Sequence, residues 1–264
     1  MDLSESADPA ATLDLAMRLA DTARRLARAS FRTALAVQIK ADGSPVTAVD
    51  REIETEMRRL IRATFPTHAI RGEEYGAEGD REFTWVLDPI DGTKSFITGF
   101  PLFGSLIALV RGGRPLLGVI EAPILGERWV GAAGRATRLN GEPAAVSACR
   151  SLERAVVYTT SAELFDPEDR AGFERVGARC ALRRFGGDCY LYGLLASGHC
   201  DLVIESRLKP HDFMALIPVI EGAGGRISDW AGRPLGLESD GRVVAAATEA
   251  LWREAIERLE ADRS

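Results

Sequence analysis

Apolar residues recur at helical spacing in two places near the start of the chain. Leu13, Met17, Ala20, Ala23, Leu26 and Ala27 share one face of residues 10–30, with Arg and Asp on the other. That pattern predicts an amphipathic helix. A second helix is predicted after Thr47, where Ile53, Met57, Leu60 and Ile61 repeat at three and four and Pro66 marks the end. Residues 41–45 between them, Ala-Asp-Gly-Ser-Pro, form a turn cluster. From Phe83 the period shortens. Residues 83–87 read as a strand running into Asp88-Pro89, and strands follow at 102–110, 116–120 and 128–130, separated by Gly-rich turns. This portion predicts an antiparallel sheet. Beyond residue 150 the pattern alternates. Strands are predicted at 155–159, 181–185 and 202–204, and helices at 167–176, 189–196 and 212–221, with Gly224-Gly225 as a stop. The chain is therefore α/β, with an α+β N-terminal half and an α/β C-terminal half. The seam falls near residue 145, giving parts 1–145 and 146–264.

Composition narrows the function. The chain has 264 residues, 46% hydrophobic and 27% charged, as a globular protein does. Its net charge of −6 argues against nucleic acid or an anionic membrane as the main partner. A small anionic substrate held through a bound cation stays open. Cys149, Cys180, Cys189 and Cys200 form no Cys-x-x-Cys pair and read as thiols of a reducing cytosol. Met1 to Pro9 has three acids and no basic residue, unlike a signal peptide. The longest apolar runs fall short of the roughly 20 residues a membrane span needs. A soluble, cytoplasmic protein is the expectation.

Three short segments concentrate carboxylates: Gly72-Glu73-Glu74, Asp88-Pro89-Ile90-Asp91-Gly92-Thr93, and Lys209-Pro210-His211-Asp212. In the second, a tight turn at the end of an apolar strand would bring Asp88, Asp91 and the carbonyl of Ile90 to one side. Two like charges about 4 Å apart cost about 4 kcal/mol at an effective dielectric of about 20. A divalent cation turns that cost into binding, and an all-oxygen donor set selects a hard ion such as Mg²⁺. Gly92-Thr93-Lys94 would open a new element whose free N–H groups suit phosphate. The three histidines form no His-x-x-x-His pair, which leaves no basis for a zinc site. His68 reads as a surface turn residue, His199 as a loop residue, and His211 as a neighbour of the acidic site.

These segments, in this order and spacing, resemble the signatures of the inositol monophosphatase superfamily, and Thr47-Ala48-Val49-Asp50 is similar to its threonine–aspartate element. The resemblance covers nearly the whole chain. It implies the layered αβαβα sugar-phosphatase fold and Mg²⁺-dependent hydrolysis of a small phosphorylated metabolite. By resemblance, Glu73, Asp88 and the Ile90 carbonyl would hold one Mg²⁺, and Asp88, Asp91 and Asp212 a second, with Glu73 reaching a third, looser ion. Thr93, Asp50 and Glu74 would orient or deprotonate the attacking water, and the Gly92 and Thr93 amides would bind phosphate. Two cations neutralise a phosphate dianion and activate water, so no covalent intermediate is needed. Family members commonly pair, so a homodimer is expected.

Around the leaving group, Thr93-Lys94-Ser95-Phe96, Gly186-Gly187-Asp188-Cys189-Tyr190 and Leu208-Lys209-Pro210-His211-Asp212 resemble the histidinol-phosphate phosphatases of histidine biosynthesis. A substrate with an ammonium and an imidazole calls for acceptors. Asp188 is either the cap of the helix after it or such an acceptor. Glu205, seven residues before Asp212, is either a solvated strand end or a second acceptor. Lys94 is either a surface lysine or a charge near the phosphate. Inositol 1-phosphate and 3′-phosphonucleotides are the alternative substrates, and a catalytically dead scaffold is the alternative class.

Overall fold

A computed structural model of the protein describes residues 8–261, so most of the Met1–Pro9 segment lies outside the described residues. The first two predicted helices form. Helix α1 spans Pro9–Ser30, with Asp8 capping its first turn. After the hairpin β1 (Val37–Ile39) and β2 (Pro45–Thr47), helix α2 covers Ala48–Thr64. Thr47 and Asp50 close its N-terminus as a capping box.

Strands β3 (Ala69–Gly72), β4 (Gly76–Glu78) and β5 (Phe83–Asp91) come next. Helix α3 (Thr93–Thr98) then leads to β6 (Gly104–Arg111), β7 (Arg114–Ala122), β8 (Glu127–Ala132), β9 (Arg138–Leu139) and β10 (Glu142–Pro143). They form one eight-stranded sheet in the order β10-β9-β8-β7-β6-β5-β3-β4. It is mixed rather than purely antiparallel, because β3 runs parallel to β5 after the α2 crossover.

The remaining elements are β11 (Val156–Thr159), α4 (Pro167–Gly177), β12 (Leu182–Phe185), α5 (Tyr190–Ala196), β13 (Leu202–Glu205), α6 (Pro210–Phe213), α7 (Leu216–Gly222), β14 (Arg226–Ser228), β15 (Val243–Ala246) and α8 (Glu249–Glu260). A five-stranded sheet has the order β12-β11-β13-β15-β14. The helix predicted at 212–221 is two helices. Pro218 has no N–H to offer the carbonyl of Met214, and the chain breaks there.

Side-chain alternation assigns the layers. Trp85 and Leu87 of β5 pack with Leu15, Leu19, Ile53 and Met57 of α1 and α2. Val86, on the opposite face, packs with Leu191 of α5, Phe213 of α6 and Val219 of α7. Those helices also meet Val203 and Ala245 of the smaller sheet, whose other face carries Leu202, Ile204 and Val244 against Phe173 of α4 and Leu251 of α8. The order is α1/α2, large sheet, α5–α7, small sheet, α4/α8, the expected αβαβα stack.

The α6–α7 segment sits unusually close to the large sheet. A Cβ on Gly118 of β7 would lie 2.0 Å from the Ala215 carbonyl oxygen, and one on Gly131 of β8 would lie 2.3 Å from that of Pro218. The only relief is to lift α6 and α7, and Asp212 with them. Gly118→Ala should therefore cost about 1–3 kcal/mol, as overpacked cores do, and lower activity at the same time. A thermal melt matching the native protein would show that this close contact carries no weight.

Candidate active site

Strand β5 does not end at Asp88. It continues through Pro89 to Asp91 with a register shift: Asp88 pairs with Leu106, but Asp91 pairs with Gly104. Three steps on β5 face two on β6, so one extra residue is inserted, a β-bulge. Pro89, which lacks an N–H, fits such a position, and its carbonyl accepts from Ser105 Oγ at 2.5 Å. In a regular strand, residues three apart point to opposite faces. The bulge corrects this: Ile90 joins Trp85 and Leu87 on the α1/α2 side, and Asp88 and Asp91 both meet Asp212 of α6, with one oxygen of each within 4.8 Å of the others. The arrangement expected of a tight turn is thus made inside a strand.

Nothing among the described residues neutralises this cluster fully. Asp88 is 2% exposed, and its Oδ1 is buried with no hydrogen-bond partner. Asp91 accepts from the Cys189 amide at 2.5 Å, and Asp212 from the Lys209 amide at 2.7 Å. Burial first, and then neighbouring carboxylates, push the Asp88 and Asp91 carboxyls well above the usual range. Asp212 is also raised by burial, against the opposing pull of His211. An orphaned buried carboxylate oxygen among three carboxylates is the donor set of a hard divalent cation, and Mg²⁺ fits it.

Glu73 stands beside Asp88, whose carboxyl it helps raise. Its turn is held by a buried acid that belongs to none of the three acidic segments. Glu54 of α2, fully buried, accepts from the amides of Glu74 (2.7 Å) and Tyr75 (3.2 Å) and from Arg58 Nε (2.8 Å). A Cβ on Gly72 would lie 2.0 Å from Glu54 Oε1, so only glycine admits this contact. The visible signal was a charge one residue from the buried Ile53, with Arg58 four residues on. Lys40 had no such signal. From the β1–β2 hairpin it donates to Glu73 Oε1 at 2.7 Å and Glu74 Oε1 at 2.5 Å.

Asp50 lies at the start of α2. Its Oδ2 accepts from the Thr47 amide (2.9 Å) and hydroxyl (2.5 Å). Its Oδ1 is 3.3 Å from Thr93 Oγ1, which is also 3.1 Å from the Ile90 carbonyl. Burial raises the Asp50 and Glu74 carboxyls. Gly92, at φ +90°, turns the chain from β5 into α3, and a Cβ there would lie 2.7 Å from Asp188 Oδ2. Lys94 is exposed, and its charge reaches Asp188.

Beside the acidic centre lies a cavity of about 190 Å³ lined by Asp91, Thr160, Asp188, Tyr192, Glu205 and Asp212, among others. Asp188 does not cap α5: the cap position is Cys189, with no side-chain hydrogen bond. Its carboxylate instead accepts from Ser95 Oγ at 3.0 Å, and burial lifts it to about 6. Glu205 is not a solvated strand end. It is 1% exposed and accepts from the Thr160 amide and hydroxyl, each at 2.7 Å, and from Thr159 Oγ1 at 3.1 Å. Burial pushes it up to about 7.

His211 Nε2 is 3.5 Å from Asp212 Oδ1, and His199 is exposed in a loop. His68 departs from the surface reading. It stacks on Phe65 at 4.5 Å and Phe83 at 5.1 Å and accepts from Trp85 Nε1.

The five layers, with an acidic centre at a strand bulge, define a layered sugar-phosphatase fold. The sequence model of the inositol monophosphatase family matches residues 8–263, and the chain belongs to that family. It is a phosphatase on that ground. It is 48% identical to the bifunctional phosphatase IMPL2, chloroplastic, of Arabidopsis thaliana over 92% of this chain and 73% of the relative. It is 39% identical to a histidinol-phosphatase of Chlorobaculum parvum over 88% and 91%. A solved inositol monophosphatase from Zymomonas mobilis superposes with a TM-score of 0.87 at 46% identity, covering 94% of this chain and 97% of that one. No helix among the described residues is long and apolar enough to cross a membrane.

The raised carboxyls fix the sign of a pH effect. A carboxyl whose folded value exceeds its unfolded value costs stability once it ionises. The metal-free protein should therefore lose stability as pH rises from about 4 through the values near 6 and 7 of Asp188 and Glu205. Mg²⁺ at about 100 times its Kd should add about 2.7 kcal/mol and flatten the profile. Thermal melts in chelator and in Mg²⁺ check this. A chelated protein that gains stability with rising pH, or melts that ignore Mg²⁺, would contradict it.

Proposed function

We propose that the protein hydrolyses L-histidinol phosphate to L-histidinol and phosphate, with Mg²⁺. The observation that carries this reading is the pair of carboxylates in the cavity next to the acidic centre. Asp188 and Glu205 face the space a leaving group would take, and each is an acceptor suited to an ammonium or an imidazole N–H. The histidinol-phosphatase name of a relative at 39% identity supports it.

In this reading Glu73, Asp88 and the Ile90 carbonyl hold one Mg²⁺, Asp88, Asp91 and Asp212 hold a second, and Glu73 reaches a third. Bound there, the ions neutralise the phosphate dianion, lower the pKa of water and offset charge on the leaving oxygen. The chain's own groups do the rest. With its O–H donated to Asp50 Oδ1, Thr93 has its oxygen free to accept from the attacking water and aim it at phosphorus. Buried Asp50, with its raised carboxyl, takes up the proton through Thr93, and Glu74 stands by as a second acceptor. The Gly92 and Thr93 amides and the Lys94 charge hold the phosphate oxygens. The P–O ester bond breaks opposite the new P–O bond, and the leaving oxygen takes a proton from water. Residues 1–145 supply most of the cation ligands, and residues 146–264 supply Asp212 and the leaving-group acceptors. A cytosolic homodimer completes the reading. The four cysteines, all free thiols, suit that compartment.

A substrate panel tests it: L-histidinol phosphate, inositol 1-phosphate, a 3′-phosphonucleotide and p-nitrophenyl phosphate, all with Mg²⁺. L-histidinol phosphate should give the highest kcat/KM. A hydrogen bond to a charged group contributes about 1.5–3 kcal/mol, so Asp188→Asn or Glu205→Gln should cost about 10- to 150-fold for that substrate and far less for p-nitrophenyl phosphate. Equal losses on both substrates would remove these residues from leaving-group recognition. Preference for inositol 1-phosphate would overturn the substrate.

A further inference from the structure

The cavity wall carries a buried phenol hydroxyl with no role so far. Tyr192 of α5 is 2% exposed and lines the cavity. Its hydroxyl and Asp88 Oδ1 are the two buried side-chain polar atoms without a hydrogen-bond partner among the described residues. Burial first, and then the acids Glu205, Asp91 and Asp212, push the phenol well above its ordinary value and keep it protonated. The carboxylates of the cavity have protein donors: Glu205 has Thr159 and Thr160, Asp188 has Ser95, Asp91 has the Cys189 amide, and Asp212 has the Lys209 amide. An unpaired buried hydroxyl costs about 1–3 kcal/mol, and phenylalanine would fill the same space without that cost. The hydroxyl is therefore a stability liability that a ligand can relieve.

We propose that Tyr192 is a specificity-determining residue whose hydroxyl oxygen accepts a hydrogen bond from the cationic nitrogen group of the leaving alcohol, beside Asp188 and Glu205. The ligand class is a phosphate monoester of an amino alcohol, so the inference rests on the amine-bearing substrate proposed above. A polyol offers the same oxygen only neutral O–H donors, which bond roughly half as strongly as charged ones. The surrounding acids add attraction for a cation and none for a polyol.

Tyr192→Phe keeps the ring and deletes the hydroxyl. Its kcat/KM for L-histidinol phosphate should fall about ten-fold or more, mainly through KM, with a smaller loss on p-nitrophenyl phosphate. Calorimetric binding of L-histidinol should weaken by a similar factor, and the melting temperature should stay level or rise. An unchanged ratio of the two kcat/KM values with unchanged L-histidinol affinity would overturn the inference. So would a lower melting temperature with parallel losses on both substrates, which marks a structural role. The substrate reading fails separately, in the unsubstituted enzyme, if L-histidinol phosphate is not preferred there. In that case Tyr192 loses its assignment as an ammonium contact as well.

Discussion

One inserted residue in β5 governs the chemistry of this protein. Without the bulge between Asp88 and Asp91, strand alternation would send one carboxylate toward α1 and α2, among Leu15, Ile53 and Trp85. With it, both carboxylates meet Asp212 in the middle layer. The resulting cluster repels itself, and burial sharpens the repulsion because the low-dielectric surroundings stabilise no isolated charge. The fold tolerates the cluster because strong contacts surround it. The Ser105 hydroxyl ties the Pro89 carbonyl, the Cys189 amide holds Asp91, and the Lys209 amide holds Asp212.

The layers explain how residues so far apart in sequence converge. The middle layer of α5, α6 and α7 touches both sheets, so a residue at its edge faces the end of β5 and the end of β13 together. Asp212 starts that layer from one side, and Asp188 enters it from the other. Glu205 closes the far wall from the tip of β13. On the opposite side, α2 contributes twice. Asp50 at its first turn reaches Thr93, and Glu54 one turn later fixes the Gly72–Tyr75 turn that carries Glu73 and Glu74. Small residues set the spacing, as at Gly72 against Glu54 and Gly118 against Ala215.

Local periodicity made α1, α2 and the central strands legible in the sequence, because each has one buried face and a sharp stop. The acidic segments were legible as well, since carboxylates at the end of an apolar strand have few structural uses. Context hid the rest. A bulge and a turn share the same Asp-Pro-x-Asp-Gly pattern, and only pairing with β6 tells them apart. The apolar spacing runs unbroken through Pro218, whose missing N–H divides the segment into α6 and α7. Short strands such as β14 and β15 gain their stability from partners 16 to 44 residues away in the chain. Lys40 and Thr160 carry no local signal, because their partners Glu73, Glu74 and Glu205 come from other elements. His68 stacks on Phe65, three residues before it, and on Phe83, fifteen residues after it, and the second contact carries no local signal.

The central claim is that the Asp88, Asp91 and Asp212 carboxylates are brought together to hold a divalent cation. Anomalous diffraction from a crystal grown with Mn²⁺ in place of Mg²⁺ tests it most directly. The account predicts a strong anomalous peak bridging these three side chains, with Asp88 Oδ1 among the ligands, and no such peak in a chelated crystal. A Mn²⁺-grown crystal with no peak there, or with its peaks only at other acidic residues, would contradict it.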